Sequence, residues 1–209
     1  MITKNIIFKN FVEKKNKKKN NLLLNILKNN NLLKKYPLLN TLTNKYCYSF
    51  TEKNINQLKK FSSFNIIGMG GSALGAEAIY EFLKHKIKKK FFFFNNLKSQ
   101  NTLKSKKKTV NLVISKSGNT LETITNLNFI LQKQKKNKNI FITEIKNNYL
   151  SSIAKKLKAE VLEHRNFIGG RYSVLSEVGM LPAELMGLNE KKFKKFNELI
   201  KNKLFINSL

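Results

Sequence analysis

Residues 113–123 read Val-Ile-Ser-Lys-Ser-Gly-Asn-Thr-Leu-Glu-Thr, and this stretch decides the fold. An apolar run breaks into hydroxyl side chains and one glycine, and apolar residues then recur at helical spacing from Leu121 onward. The pattern predicts a strand, a tight loop and a helix. Backbone N–H groups at a helix start favour an anion. We interpret the stretch as a phosphate-binding loop that contains Ser115, Lys116, Ser117 and Thr120.

Each of these loop residues also has a purely structural interpretation. The hydroxyl groups could satisfy backbone groups of the loop itself. Asn119, followed three residues later by Glu122, could form a capping box at the helix start. That interaction would engage the Glu122 carboxylate, so the capping box and a chemical role for Glu122 are competing hypotheses.

A second loop follows the predicted strand Phe64–Ile67. It reads Gly68-Met-Gly-Gly-Ser-Ala-Leu-Gly75, and it holds four of the nine glycines of the chain. Glycine permits positive φ and lets a ligand approach the main chain closely, which indicates a second anion-binding loop with Ser72 at the next helix start. The alternative is a tight strand-to-helix turn in which Ser72 is a plain N-cap.

The same loop also satisfies a loose dinucleotide-binding pattern, Gly68-x-Gly70-x-x-Ala73. That function needs an acidic residue at the end of the next strand to hold a ribose. The next predicted strand, 91–94, is followed by Asn-Asn-Leu, and no acidic residue occurs between Glu81 and Glu122. The sequence therefore disfavours a dinucleotide.

A third block, Phe167-Ile-Gly-Gly-Arg-Tyr-Ser173, follows a predicted strand at 159–162. Gly169 and Gly170 allow a sharp turn, and Arg171 offers five donors to a carboxylate, a phosphate or a developing oxyanion. The structural alternative for Arg171 is an ion pair that holds the loop. We expect His164, just before this block, to be an exposed loop residue.

The formal charge of +29 comes from 41 basic and 12 acidic residues, but only two of the basic residues are arginine, and aspartate is absent. Such a composition is typical of a genome biased toward A and T codons, and the lysines are spread along most of the chain. It does not indicate a selected nucleic-acid patch. A charge-driven nucleic-acid binder remains an alternative, and it predicts binding with a steep salt dependence.

The single cysteine, Cys47, fits a reducing compartment, and we expect it to be a buried filler thiol. Residues 1–10 lack the pattern of a secretory signal. No apolar run approaches the roughly 20 residues of a membrane span. We expect a cytoplasmic protein that binds neither membrane nor a specific nucleic acid, and that uses no metal and no cofactor.

Periodicity divides the chain into three parts. Residues 1–60 contain no glycine and predict two or three helices with a break at Pro37; residues 61–188 predict an α/β domain; and residues 189–209 predict a basic amphipathic helix. Further predicted elements are a short helix and basic turn at 97–108, a strand at 139–143, a helix around 150–157 and a helix at 174–188.

The three blocks together resemble the first part of the glucose-6-phosphate isomerase (phosphoglucose isomerase) family. Their order and spacing match over about residues 55 to 190. The resemblance implies an α/β three-layer sandwich of the sugar-isomerase (SIS, flavodoxin-like) type, with a five-stranded parallel sheet flanked by helices. It also implies aldose–ketose isomerisation of glucose 6-phosphate and fructose 6-phosphate through an enediolate, a step of glycolysis and gluconeogenesis.

Residue roles are carried over by the same resemblance. Ser72, Ser115, Ser117 and Thr120 would hold the sugar phosphate, Lys116 and Glu122 would line the site, and Gly71 and Gly170 would approach the substrate through backbone. Arg171 would stabilise charge on the enediolate. In the family, the proton-abstracting glutamate and the ring-opening histidine belong to a second SIS domain, for which we find no match in this sequence. The resemblance also implies a homodimer.

We therefore expect these 209 residues to bind a hexose 6-phosphate weakly and not to isomerise it at a useful rate. Glu122 would be a poor base if the capping box engages it. The sequence is interpreted as a fragment or a truncated product of a longer enzyme. The alternative from another class is a non-catalytic SIS module that binds sugar phosphates.

Overall fold

Strands and helices alternate along the part of the chain that the computed structural model describes, namely residues 34–97, 109–134 and 137–194. The strands are β1 Ser63–Ile67, β2 Lys90–Phe94, β3 Val110–Ile114, β4 Lys138–Thr143 and β5 Glu160–Glu163. The α-helices are α1 Glu52–Lys59, α2 Leu74–Leu83, α3 Leu121–Lys133, α4 Tyr149–Lys156 and α5 Glu177–Leu185.

All of these elements belong to one unit, Cys47–Glu190. A second unit is described over residues 34–46 and 191–194, and it contains the 3-10 helix Pro37–Leu42. Pro37 begins this short helix, where a missing backbone N–H has no consequence. The helices predicted within 1–33, the short helix and turn predicted at 98–108, and most of the helix predicted at 189–209 lie outside the described residues.

The five strands form one parallel sheet in the order β2-β1-β3-β4-β5. The register pairs Phe64 with both Phe91 and Val110, and Val110 with Lys138. Every residue of β1 and β3 is buried, as expected for central strands covered on both faces. The strand predicted at 91–94 is the edge strand β2, and it is only partly buried, since Phe92 is 41% exposed.

Helices cover both faces of the sheet, which gives the three layers implied by the resemblance. On one face α3 and α4 pack through Leu127, Ile130, Leu150 and Ala154 against the side chains of Ile67, Val113 and Phe141. On the other face Tyr80 of α2 lies 5.5 Å from the ring of Phe91, which stacks on Phe64. Helix α5 packs against α1 and α2. The predicted five-stranded parallel α/β sandwich is confirmed.

A row of amide side chains, buried at Asn65 and Asn111 and partly buried at Asn139, crosses the sheet. Asn65 donates to Asn111 at 2.8 Å, and Asn111 donates to Asn139 at 2.7 Å. The three residues are neighbours in the strand register, so the amides link β1, β3 and β4 side by side. Because each buried donor finds an acceptor, the row fixes this register without the cost of an unsatisfied polar group.

The strand order determines where a ligand can bind. Strand β1 lies between β2 and β3, so the chain leaves β1 toward one side of the sheet and leaves β3 toward the other. In parallel α/β sheets of this order, a crevice opens outside the carboxyl ends of the strands at that point. The loops after Ile67 and Ile114 border this crevice.

Helix α5 begins later than the sequence pattern predicts. The helix predicted from residue 174 starts at Glu177, because Gly170–Leu175 forms a separate 3-10 helix. The Ser176 side chain accepts a hydrogen bond from the backbone N–H of Val178 and caps α5. The third glycine block and α5 are therefore two elements, joined at Ser176.

Candidate functional site

The loop after β3, which we call the phosphate loop (residues 115–120), folds around Gly118. This glycine has φ +69°, a conformation that side chains rarely adopt. The Gly118 N–H donates to Ser115 Oγ at 3.2 Å, and Ser115 Oγ lies 2.9 Å from Thr120 Oγ1. Ser117 Oγ accepts from the N–H of Asn119 at 3.2 Å. These hydroxyl groups therefore hold the loop together, and they keep further hydrogen-bonding capacity for a ligand.

Helix α3 begins without a side-chain cap, so the predicted capping box is wrong. The N-cap residue is Thr120, and its side chain makes no capping hydrogen bond. The Asn119 side chain instead accepts from the N–H of Tyr149 at 2.9 Å. Glu122 is partly exposed, and no described residue forms a hydrogen bond or ion pair with its carboxylate. The first N–H groups of α3 consequently remain available to an anion.

The loop after β1, residues 68–73, is a 3-10 turn and not a simple helix cap. The turn spans Gly70–Ser72, and α2 begins at Leu74 with Ala73 as its N-cap. The alternative in which Ser72 caps the helix is therefore wrong. The Ser72 residue is 9% exposed, and its Oγ has no hydrogen-bond partner among the described residues.

The loop after β5 contacts the loop after β1 directly. A Cβ atom added to Gly71 would lie 2.0 Å from the carbonyl oxygen of Gly170, so the two backbones touch. Ser173, fully buried, points its hydroxyl at both carbonyl oxygens, 3.1 Å from that of Gly71 and 2.7 Å from that of Gly170. Ser173 thus ties together the two loops whose glycines were expected to approach the substrate.

The loop after β1 also contacts the end of β3. A Cβ atom added to Gly68 would lie 2.8 Å from the carbonyl oxygen of Ile114 and 3.0 Å from Cβ of Ser72. Ser72 is therefore close to the first residue of the phosphate loop. Together with the contact between Gly71 and Gly170, this brings all three glycine-containing blocks to one edge of the sheet.

Arg171 is exposed, and no described residue forms an ion pair with its guanidinium. The alternative in which Arg171 pairs with a carboxylate to hold the loop is wrong over the described residues. The other arginine, Arg165, does form such a pair, with Nη1 2.8 Å from Glu163 Oε2. The five donors of Arg171 are therefore available to a ligand.

Lys116 is held between neighbouring loops. Its Nζ donates to the carbonyl oxygen of Asn166 at 2.6 Å and lies 3.6 Å from Glu144 Oε1. Glu144 also pairs with Lys146. Hydrogen bonding from Lys146 and the charges of both lysines lower the pKa of the Glu144 carboxyl, although partial burial opposes the shift. Lys116 thus links the phosphate loop to the loop after β5.

His164 lies at the end of β5 and is 1% exposed, so the expectation of an exposed loop histidine is wrong. Its backbone N–H donates to Thr143 O at 2.8 Å, which continues the sheet by one residue and turns the ring inward. Nδ1 lies 3.2 Å from the carbonyl oxygen of Arg165, and no described group forms a hydrogen bond with Nε2. Burial lowers the pKa of His164. Cys47 is exposed, so the expectation of a buried thiol is also wrong.

Three residues that hold the loops in place were not identified from the sequence. Ser173, Glu144 and Asn148 act through backbone groups or through other side chains, so none of them stands at the centre of a motif. Asn148 carried a usable signal, because Asn is a preferred N-cap residue and it directly precedes the predicted helix around 150–157. Within the described residues no group of three His, Cys, Asp or Glu side chains could hold a metal ion.

The comparison with known families decides the relationship. The family model described as phosphoglucose isomerase matches residues 40–207. The chain belongs to the phosphoglucose isomerase family. The resemblance drawn from the three blocks is therefore confirmed, and those blocks are the loops that the fold brings to one edge of the sheet.

Two curated relatives, both named glucose-6-phosphate isomerase, give the extent of the similarity. The protein from Borreliella afzelii is 36% identical over 140 residues, which cover 59% of this chain and 26% of the relative. The protein from Acholeplasma laidlawii is 36% identical over 158 residues, which cover 66% of this chain and 37% of the relative. This phosphoglucose isomerase family chain therefore spans well under half the length of the curated relatives it matches.

The fold is shared with a solved structure of a hypothetical protein from Thermus thermophilus. The two superpose with a TM-score of 0.67 at 22% identity, over 92% of this chain and 49% of that one. At this identity the similarity shows the fold alone. Over the described residues, no helix is both long enough and apolar enough to span a membrane.

Proposed function

We propose that this chain supplies the phosphate-binding part of a glucose-6-phosphate isomerase active site. The observation that carries the proposal is the convergence of the loops after β1, β3 and β5, since Gly71 packs on Gly170 and Gly68 packs on the end of β3. Family membership gives the reaction class. The full activity, the hexose 6-phosphate substrate, the homodimer and the cytoplasmic location are all part of the proposal.

The phosphate group would bind at the start of α3. Ser72, Ser115, Ser117 and Thr120 offer hydroxyl groups there, and the uncapped N–H groups of α3 add the positive end of the helix dipole. A sugar phosphate is a dianion near neutral pH, and hydrogen bonds to ionised groups are about twice as strong as those between neutral groups. Lys116 adds a nearby positive charge, which Glu144 partly offsets.

The sugar would extend from the phosphate loop toward Gly71, Gly170 and Arg171. In the isomerisation a base removes the proton from C2 of the open-chain aldose, and the electron pair moves to give an enediolate with negative charge on O1. Arg171, which has no ion-pair partner among the described residues, would stabilise that charge. A proton then passes from O2 to O1, and return of the abstracted proton to C1 would give the ketose, with its carbonyl at C2.

None of the described residues is proposed as the base that removes the proton from C2. The capping box that would have engaged Glu122 is absent, so the Glu122 carboxylate is not held at the helix start. Glu122 nonetheless stands in the first turn of α3 beside the proposed phosphate group, whereas the base must reach C2 at the far end of the sugar. We propose that Glu122 lines the site and that the chain alone turns over fructose 6-phosphate poorly.

The test is a calorimetric titration of the purified chain at about 150 mM salt. Fructose 6-phosphate, inorganic phosphate and unphosphorylated fructose are each titrated separately. We expect the two phosphates to compete for one site and fructose not to bind. A matched pair of variants checks the location: Ser117→Ala should weaken binding, and Ser62→Ala, at an exposed position just before β1 and so at the amino end of the sheet, should not. Equal binding by both variants would show that the net charge, and not the phosphate loop, holds the ligand.

A coupled assay then separates an isomerase part from a binding module. We expect turnover of fructose 6-phosphate far below that of a typical enzyme, for which kcat is about 10 per second. Near-normal turnover would contradict the half-site proposal. If a trace of turnover is present, Glu122→Gln should abolish it only if Glu122 acts as the base.

A further inference from the structure

The phosphate loop rests on a neighbouring segment, none of whose residues is proposed to bind the ligand itself. We call residues 143–150, which join β4 to α4, the clamp segment. Asn148 is its central residue: it is 7% exposed, and its amide plane lies against Gly118. A Cβ atom added to Gly118 would be 2.1 Å from both Cγ and Oδ1 of Asn148, so the two segments are in direct contact at this point.

The Asn148 amide holds the clamp segment in a closed turn. Its Nδ2 lies 3.2 Å from three acceptors, namely Thr143 Oγ1 and the carbonyl oxygens of Glu144 and Lys146. Its Oδ1 accepts from the N–H of Ser151 at 2.8 Å and so caps α4. One side chain therefore satisfies both the turn and the helix start, and it presents a flat face to Gly118.

The clamp segment, in turn, holds the carbonyl groups of the phosphate loop. The Lys116 carbonyl accepts from the N–H of Glu144 at 3.1 Å and from Thr143 Oγ1 at 3.3 Å. The Gly118 carbonyl accepts from the N–H of Leu150 at 3.0 Å. Two carbonyl groups of the phosphate loop are thereby drawn toward the clamp segment.

The direction of these carbonyl groups fixes the direction of the loop N–H groups. In a trans peptide the C=O and the following N–H point in opposite directions, and the described peptide bonds are trans. The Lys116 carbonyl points at the clamp segment, so the N–H of Ser117 points away from it. No described group accepts a hydrogen bond from that N–H. The clamp segment thus presents an unpaired donor to an anion.

We propose that Asn148 is a positioning residue for the phosphate loop. It packs against Gly118 and closes the turn that orients the Lys116 and Gly118 carbonyl groups away from the ligand. The inference rests on the proposed binding of a sugar phosphate by this loop. Asn148 does not touch the ligand, and its effect is carried by the backbone.

A structural role in capping α4 has to be separated from this positioning role, and the chain offers a matched pair. Helices α1 and α4 both have eight residues and a reciprocal capping box, formed by Thr51 with Asn54 and by Asn148 with Ser151. Asn148→Ser keeps a good cap but removes the amide that packs on Gly118. Thr51→Ala loses a cap of the same kind, and the described hydrogen bonds of the Thr51 side chain are with Asn54 and not with the phosphate loop or the clamp segment.

We expect the two variants to differ in affinity and not in stability. Asn148→Ser should weaken fructose 6-phosphate binding by about tenfold, the lower end of what the loss of a supporting contact costs in metal sites, and should also lower Tm by about 2–4 °C, because the hydrogen bonds from Nδ2 to the turn are lost. Thr51→Ala should lower Tm by about 2–4 °C and leave the affinity unchanged. Asn148→Asp, which keeps the cap and the shape but loses the amide donors, should also weaken binding and serves if Asn148→Ser does not fold.

A double-mutant cycle tests the contact itself. Gly118→Ala should weaken binding strongly, because its methyl group meets Asn148 and because φ is positive. In the variant that combines Gly118→Ala with Asn148→Ser, the clash is removed, so the loss should be clearly smaller than the product of the two single losses. If the loss of affinity in the double variant equalled the product of the two single losses, the proposed contact would be overturned.

The outcomes distinguish this inference from the proposed function. If the unchanged chain does not bind fructose 6-phosphate, the proposed function fails, and the positioning role with it. If the unchanged chain binds and Asn148→Ser binds within twofold, only the positioning role fails. The Ser117 amide resonance in the ligand-free chain gives an independent readout: we expect it to shift in Asn148→Ser and not in Thr51→Ala, and an unshifted resonance would also overturn the inference.

Discussion

Gly71→Ala is the sharpest test of the convergence on which the site depends. The new methyl group would lie 2.0 Å from the carbonyl oxygen of Gly170 and 2.3 Å from its carbonyl carbon, whereas ordinary contact begins at 3.4 Å. The loops after β1 and β5 would have to separate by about 1.4 Å, the difference between these distances. Both partners are backbone, so no side chain can rotate to relieve the contact.

The cost follows from that displacement. Overpacking of this kind costs about 1–3 kcal/mol, which lowers Tm by several degrees in a chain of this size. Fructose 6-phosphate binding should fall further, by about 100-fold, because a misplacement of about 1 Å has an effect of that order on a pre-organised site. Thermal unfolding followed by circular dichroism measures the first effect, and calorimetric titration measures the second.

Gly170→Ala is the matched control for stability. A Cβ atom at Gly170 would meet nothing within 4 Å, so we expect this variant to keep the Tm of the unchanged chain. If Gly71→Ala melted within about 1 °C of the unchanged chain, the loops would not be in contact and the shared site would be refuted. The same conclusion would follow if Gly170→Ala lowered the Tm more than Gly71→Ala did.

Three further changes test other parts of the structure. Arg171→Ala should weaken fructose 6-phosphate binding by about 10–100-fold in calorimetry and leave the free energy of unfolding within about 0.5 kcal/mol, because the guanidinium has no described ion pair. A loss of unfolding free energy as large as the loss of binding free energy would contradict the availability of Arg171 to a ligand. Burial lowers the pKa of His164, so the stability that the neutral ring contributes is present above about pH 6.5 and is lost as the pH falls. In urea unfolding, His164→Leu should make the stability decline less at acid pH, and an unchanged pH profile would contradict the burial of the ring. Asn111→Ala should cost about 2–4 kcal/mol in the same unfolding assay, because it leaves Asn65 and Asn139 without their buried partner, and a loss below about 1 kcal/mol would show that the amide row contributes little.

The sequence predicted those parts of the fold that local chemistry controls. Strands that are buried on both faces read as apolar runs, and loops that need positive φ read as glycine, so the strand–loop–helix units were visible in advance. Gly118 is the clearest case, because its φ of +69° and its approach to Asn148 both exclude a side chain. The site loops could be predicted for the same reason.

The failures share a different cause, which is competition from distant parts of the chain. Asn119 has the right spacing to cap α3, but the N–H of Tyr149, thirty residues away, takes its side-chain oxygen. His164 follows a predicted strand and looked exposed, yet its backbone bond to Thr143 extends the sheet and buries the ring. A propensity that holds for an isolated segment gives no information about such partners.

The composition of the chain and the construction of its site lead to one further step. The net charge of +29 is carried mostly by lysines spread along the chain, and at physiological salt each charge acts over only about 8 Å. At the proposed site, the charge of Lys116 is partly offset by Glu144, and the remaining donors are hydroxyls, backbone N–H groups and Arg171. Backbone donors do not change when codon bias replaces surface side chains with lysine or asparagine. The geometry of the site therefore depends on the few glycines that let backbones touch, so affinity for a sugar phosphate should respond far more to Gly71→Ala than to the removal of several surface lysines.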